Sequence, residues 1–352
     1  MYVVGDEQTL NSNLDVTFPI FSSLENVKPI TYQELIKSKN IIASEVPLFI
    51  CFPFELWDKV VETKDVLYGS RDFGESIKVL DSMINDYIYS RFPNALYVNQ
   101  PSSILVERDK QTSKDILNKK GLRTAEDIEK SINAVIEEVE RGNSVYIKVR
   151  YGSMGKGITY LSPNKWTTNF NYSNGKIQNH KNDYDWKEID VTGDKYLLEQ
   201  VLAEDVVVEK AVSNSLTNGF KFDLRGRALF GEVFERFMYG RATYDSSITN
   251  VSQGAKRIDL SFIEQHVPKD KIYEAQQLIS ESAMALGLNY AGVDILFEGE
   301  NFDPVFLEAN SFPGPHMAEK LLPVLHRKIL SKFNREKNLA HEMYYHQSQY
   351  TI

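Results

Sequence analysis

Two stretches carry residues whose types and spacing could do chemistry. In "VYIKVRYGSMGKGITYL", residues 145–161, Gly152, Gly155 and Gly157 stand among Lys148 and Lys156, a pairing that suits phosphate. The P-loop pattern does not fit: Gly152 and Gly155 are too close, and Lys156 is followed by Gly157 rather than a hydroxyl residue. The flanks also differ, because Val145–Val149 alternates like a strand and Ile158–Leu161 reads as a second. The glycines therefore form the tip of a β-hairpin with Lys148 on its incoming strand.

The second stretch is "AGVDILFEGENFDPVFLEANSFPG". Asp294 and Glu308 lie symmetrically about residue 301, so a hairpin closing there makes them cross-strand neighbours. Asn310, two residues beyond Glu308, falls on the same face. Two carboxylates and a carboxamide oxygen make an all-oxygen site for a hard cation, and magnesium shared with substrate phosphates is the expected case. Pro304 predicts an edge strand or a bulge.

Composition bounds the rest. The chain has 352 residues, 42% hydrophobic and 25% charged, which predicts a soluble protein of two or three lobes. Its formal net charge of −9 argues against nucleic-acid partners. One cysteine, Cys51, allows no internal disulfide and reads as a core residue, and the six histidines show no zinc spacing. "MYVVGDEQTL" lacks the regions of a signal peptide, and no apolar run suits a membrane helix, so no membrane partner and a cytoplasmic location are expected.

The elements that must position these residues alternate between the two types. Residues 1–105 read as α/β, with strands at 47–54 and 94–100 and a helix between. A helix within 107–124 ends at Gly121, and Ile128, Ile132, Val135, Ile136 and Val139 mark the next. Residues 163–195 resemble a polar surface excursion. A helix at 196–205 leads into a strand at 206–212, and residues 220–238 alternate like a hairpin turning near Gly226. A helix over 268–288, the acidic hairpin and a helix near 318–333 follow, then a polar tail.

In this order, the lysine strand with its glycine hairpin, "VVVEKAV", "DLR", "TNVSQGAK" and the final D…E-x-N resemble the ATP-grasp superfamily. The chain is similar in particular to its carboxylate–amine ligases, the RimK-like and glutathione-synthetase-like enzymes. The resemblance covers roughly 107–315. It implies an α/β pre-grasp domain at 1–105, a small grasp lobe at 106–212, a C-terminal lobe at 213–335 and a tail at 336–352.

The resemblance also implies roles. Lys110 would reach the ATP phosphates, and Lys148 the α-phosphate and the adenine side. Gly152, Ser153, Gly155 and Gly157 would form a mobile lid over the β- and γ-phosphates. Glu209, Lys210 and Val212 would be the hinge at the adenine edge, with the Glu209 side chain near N6 or the ribose. Asp294, Glu308 and Asn310 would hold magnesium, or manganese in its place. Arg225 would face the transferred phosphate or the carboxylate substrate, and Asn250, Ser252 and Gly254 would form a second loop near the γ-phosphate. That loop has "GAK" where many relatives carry a double glycine, which leaves Lys256 for a phosphate or substrate contact. The implied activity is ADP-forming ligation of a small-molecule or peptide carboxylate to an amine through an acylphosphate. Related ligases are often homo-oligomers.

Alternatives stay open at this level. Arg236 and Arg241 compete with Arg225, and Glu199 with Glu209. Lys156 is expected to be a solvated tip residue, and His316 a surface histidine. Trp166, Phe170, Tyr172, Trp186, Tyr239 and Tyr244 suit either a pocket or surface packing. An ATP-grasp kinase acting on a hydroxyl, or a silent nucleotide-binding relative, would share the same machinery.

Overall fold

The structure is a computed structural model and describes residues 1–7, 10, 26–53, 67–180, 186–213, 220–244, 246–313 and 323–336. Expectations for His316 and for the tail from 337 lie outside these residues. The chain divides into two compact bodies: residues 1–59, 80–101 and 312–352, and residues 60–79 with 102–311.

In the first body, four parallel strands run in the order Lys28–Thr31, Tyr2–Gly5, Pro47–Ile50, Leu96–Tyr97. The apolar run at 47–54 supplies a strand only as far as Ile50. Cys51, just beyond it, is fully buried as a core residue. The helix Tyr32–Lys37 starts in a capping box, where Thr31 Oγ1 accepts from the Glu34 N–H and Glu34 accepts from the Thr31 N–H.

Among its described residues the second body holds two large antiparallel sheets and a two-stranded one, Asn171–Ser173 with Lys176–Gln178. The smaller of the large sheets runs Ile189–Asp190, Trp166–Thr168, Ile158–Leu161, Val145–Val149, Val206–Lys210. Its apolar face packs on the helices Ile132–Glu140 and Lys195–Ala203, around Val135, Val145, Ile147, Leu198 and Val201. Ser131 and Asp194 cap these helices, each accepting from the N–H three residues on. The polar excursion at 163–195 is not only surface. Trp166, Phe170 and Trp186 join this core, so the polar residues between them disguise short strands with buried anchors.

The larger sheet runs Lys256–Asp259, Tyr239–Thr243, Lys221–Leu229, Tyr290–Glu298, Asp303–Asn310, with Glu232–Val233 added beside Leu229. The helix Lys269–Ala285 covers one face through Ala275, Leu278, Ile279 and Ala283. Residues 221–229 form one uninterrupted strand, so the hairpin does not turn at Gly226. A Cβ there would lie 2.4 Å from Ile279 Cδ1, which makes Gly226 the point of closest helix approach. The turn falls at Phe230 and Gly231, both with positive φ (51° and 77°), as a two-residue hairpin loop requires.

Candidate active site

Alternation along Val145–Val149 sends Val145, Ile147 and Val149 into the core and leaves Tyr146 and Lys148 on the other face. Lys148 Nζ donates to Glu209 on the adjoining strand at 2.5 Å. The second Glu209 oxygen lies 2.9 Å from Lys114 Nζ, and Lys114 also pairs with Asp127. Burial pushes the Glu209 carboxyl up, but the two ammonium groups outweigh it and hold it at about 2. The Glu209 side chain is thus engaged in joining two lysines. The N–H groups of Lys210 and Ala211 donate to the carbonyls of Glu126 and Ser144.

Residues 150–157 form the glycine loop. Gly155 and Gly157 have φ of 71° and 69°. A Cβ on Gly152 would lie 2.3 Å from Val149 Cγ2, and one on Gly157 2.6 Å from the same methyl. Glycine lets the loop fold back over its own strand. Its carbonyls are anchored from outside: Lys110 Nζ donates to Gly152 O, Ser252 Oγ to Met154 O at 2.9 Å, and Asn169 Nδ2 to Gly155 O. Burial lowers the Lys110 ammonium to about 8, with Glu308 opposing the fall and Lys148 adding to it. Lys156 corrects the sequence expectation. It is 8% exposed, with its ammonium 4.9 Å from the Tyr68 ring centre and 5.8 Å from that of Trp186. Those ring faces compensate for the lost hydration.

The acidic hairpin closes as its symmetry suggests, with Asp294 opposite Glu308 and Gly292 opposite Asn310. The strand carrying Pro304 is the sheet edge, and the register shifts between Asp294 and Ile295. On its other side Asp294 faces Arg225, whose Nε and Nη2 donate to its two oxygens at 2.5 and 2.6 Å. Arg241 grips Asp223 in the same way, at 2.8 and 2.6 Å, and its Nη2 also donates to Asp294 at 2.7 Å. Thr249 Oγ1 donates to Asp223 at 2.5 Å. Burial raises both carboxyls. At Asp294 the two arginines prevail and the group is held low, whereas at Asp223 burial prevails over Arg241.

This tests the fit to a divalent cation. Glu308, whose side chain is one-third exposed (33%), and Asn310 are hard oxygen donors. Asp294 fits less well, because three of its roughly four acceptor positions are taken by guanidinium N–H groups. Among the described residues no cluster of three His, Cys, Asp or Glu is arranged for a metal. A cation completing its shell with nucleotide phosphates needs only one or two protein carboxylates, and Glu308 supplies one at the cleft.

Some of these parts line a cleft of about 920 Å3, its solvent mouth included. Of the residues singled out in the sequence, Lys110, Lys148, Gly152, Gly155, Lys156, Glu209, Lys210, Val212, Asn250 and Glu308 line it. Ser153, Gly157, Ser252, Gly254, Asp294, Asn310, Arg225 and Lys256 do not. Arg225 is turned onto Asp294, and Lys256 is exposed on the edge strand opposite Ala242. Of the competing residues, Arg241 lines the cleft, while Arg236 and Glu199 are exposed. None of the six aromatic residues weighed as pocket walls lines it. Asn250 shapes its own loop, accepting from the Ser252 N–H at 2.9 Å.

Sequence reasoning missed Lys114, Lys221, Tyr146 and Thr249. Lys114 had a signal, since it follows Lys110 by four residues on one helix face. Lys221 also had one, sharing a strand face with Asp223 and Arg225. Its ammonium donates to Tyr146 Oη and to Ser247 O. In all, the cleft wall carries six basic side chains against two acidic ones.

Comparison with known proteins bears on the family and the fold. The family model described as YheC/D-like ATP-grasp matches residues 123–331. The fold is similar to that of D-alanine–D-alanine ligase from Bacillus anthracis complexed with ATP (16% identity, 95% of this chain and 98% of that one, TM-score 0.53). It is similar also to the ATP-grasp ligase PsnB complexed with the precursor peptide PsnA2 and AMPPNP (13% identity, 93% and 96%, TM-score 0.52). A third likeness is to a RiPP-associated ATP-grasp ligase of Chryseobacterium gregarium in complex with ADP and a leader and core peptide (11% identity, 93% and 96%, TM-score 0.52). No curated protein matches the chain in sequence. Among the described residues, no helix is long and apolar enough to cross a membrane.

Proposed function

Because the chain belongs to the YheC/D-like ATP-grasp family, we propose that it is an ATP-dependent carboxylate–amine ligase, releasing ADP and phosphate. The observation that carries this reading is convergence: Lys110, Lys148, the glycine loop and Glu308 line one cleft although they are distant in sequence. An excess of lysine and arginine over acids suits a polyphosphate, and loop glycines let backbone N–H groups approach it.

In this reading Lys110 and Lys148 stabilise phosphate charge, and Glu209 with Lys114 fixes the Lys148 ammonium. The segment ending at Val212 borders the base. Glu308 and Asn310 would hold magnesium, which supplies charge neutralisation between phosphates. Arg241 offers a carboxylate or phosphate the two N–H donors that Asp223 and Asp294 do not use. A substrate carboxylate oxygen attacks the γ-phosphorus and ADP leaves. An amine then attacks the acyl carbon, phosphate departs with its oxygen, and the amine nitrogen loses a proton. The glycine loop, anchored over the cleft, shields the acylphosphate from water.

The test is mass spectrometry of the protein incubated with Mg·ATP and pooled amino acids, short peptides and polyamines, beside Glu308→Gln. A product equal to two pool members minus water, with ADP, is the expected result. A pool member heavier by one phosphoryl group would replace the ligase with a kinase. ATP binding without turnover against any pool would leave a nucleotide-binding protein.

A further inference from the structure

The glycine loop owes part of its position to a residue outside the cleft. Asn169 lies in the turn between Trp166–Thr168 and Asn171–Ser173 and is fully buried. Its Oδ1 accepts from the Ile158 N–H at 2.8 Å, and its Nδ2 donates to Gly155 O. Its own N–H donates to Ile158 O at 3.1 Å. The amide orientation is fixed, since an N–H can only donate and a carbonyl can only accept. One carboxamide thus ties the loop's middle to the start of its outgoing strand. Asn169 does not line the cleft, so it acts on a bound molecule only through the loop.

We propose that Asn169 is a positioning residue for the glycine loop, fixing Gly155 so that the neighbouring backbone N–H groups meet the nucleotide phosphates. The proposal rests on the nucleotide-binding reading of the cleft. Among the side chains that anchor loop carbonyls, Asn169 alone bonds both Gly155 and the strand that follows it, so its loss frees the loop at its turning point.

The decisive variant is Asn169→Asp, which keeps the shape and the Ile158 bond but replaces the Gly155 donor with a carboxylate oxygen. Two quantities are measured from pH 5 to pH 8: amide hydrogen exchange across 150–157 without nucleotide, corrected for intrinsic rates, and affinity for a fluorescent ATP analogue. At pH 8 the variant should exchange about tenfold faster through the loop and bind about tenfold more weakly, the effect of one lost buried hydrogen bond. As pH falls, its carboxyl protonates, donates to Gly155 O and restores both properties relative to the wild type at the same pH, while Asn169→Ala stays defective by that comparison. Loop exchange in Asn169→Asp equal to wild type at pH 8, or a defect indifferent to pH, would overturn the proposal. If the alanine variant does not fold, the isosteric pair still decides. Failure of the wild type to bind ATP would sink the nucleotide reading instead, since exchange is read without nucleotide.

Discussion

Asp294 and Glu308 face each other across the terminal hairpin and share Arg225 as a neighbour, yet they are held with very different closeness. Asp294 is fully buried and gripped by Arg225 and Arg241, while Glu308 reaches the cleft with its closest guanidinium nitrogen 3.7 Å away. One of the pair holds the sheet together, and the other is available to a ligand.

Glu308→Gln should therefore leave the fold intact. A partly exposed pair of this length contributes under about 1 kcal/mol. Turnover should fall by about three orders of magnitude through lost electrostatic stabilisation. ADP release and urea unfolding, measured on the same preparation, check both halves.

Asp294→Asn should do the reverse to stability. Removing one member of a buried ionic network costs about 3–5 kcal/mol, because Arg225 and Arg241 are left facing a neutral amide. The pH dependence has a definite sign. The Asp294 carboxyl is held below its usual range, so its contribution is complete above the unfolded carboxylate pKa and is lost as pH falls through the lower folded value. Wild type and variant should approach one another in urea midpoint only at strongly acid pH.

Lys110 gives a prediction at the alkaline end. Its ammonium titrates at about 8, so the free protein loses a phosphate-binding charge as pH rises past that point. A falling limb near pH 8 is expected in kcat/KM for ATP, which reports the free enzyme. Lys110→Arg, charged throughout, should move the limb upward. Stability runs the other way. A lysine whose pKa is lowered by folding costs stability while the folded protein holds it charged, and that cost is relieved between about 8 and 10.5.

Gly152→Ala should weaken nucleotide binding by about tenfold, because the new Cβ meets Val149 Cγ2 and overpacking of this kind costs about 1–3 kcal/mol. Trimming the obstacle in Gly152→Ala/Val149→Ala should restore part of the affinity. Binding of a fluorescent nucleotide to the four proteins of this cycle measures the coupling.

Much of this was legible in the residues. The symmetry of Asp294 and Glu308 about residue 301 gave the register, and β-alternation around Lys148 gave the hairpin. What stayed hidden depended on tertiary contact. Lys156 is lysine at a loop tip, and the rings of Tyr68 and Trp186, distant in sequence, help to bury it. Arg225, Arg236 and Arg241 are indistinguishable by type, and cross-strand pairing decides that Arg225 and Arg241 both meet Asp294 while Arg241 alone of the three lines the cleft. Gly226 looked like a turn because glycine also marks the close approach of a helix.

The charges of the cleft have a consequence for what can reach it. Six basic side chains are gathered in one concavity of a chain whose formal net charge is −9. At physiological ionic strength the attraction fades over about 8 Å, so it acts on an anion small enough to enter the concavity. A long polyanion spread over the outer surface meets the acidic remainder instead. On the proposed reading the arrangement would select anions by size, favouring a nucleotide over a nucleic acid strand.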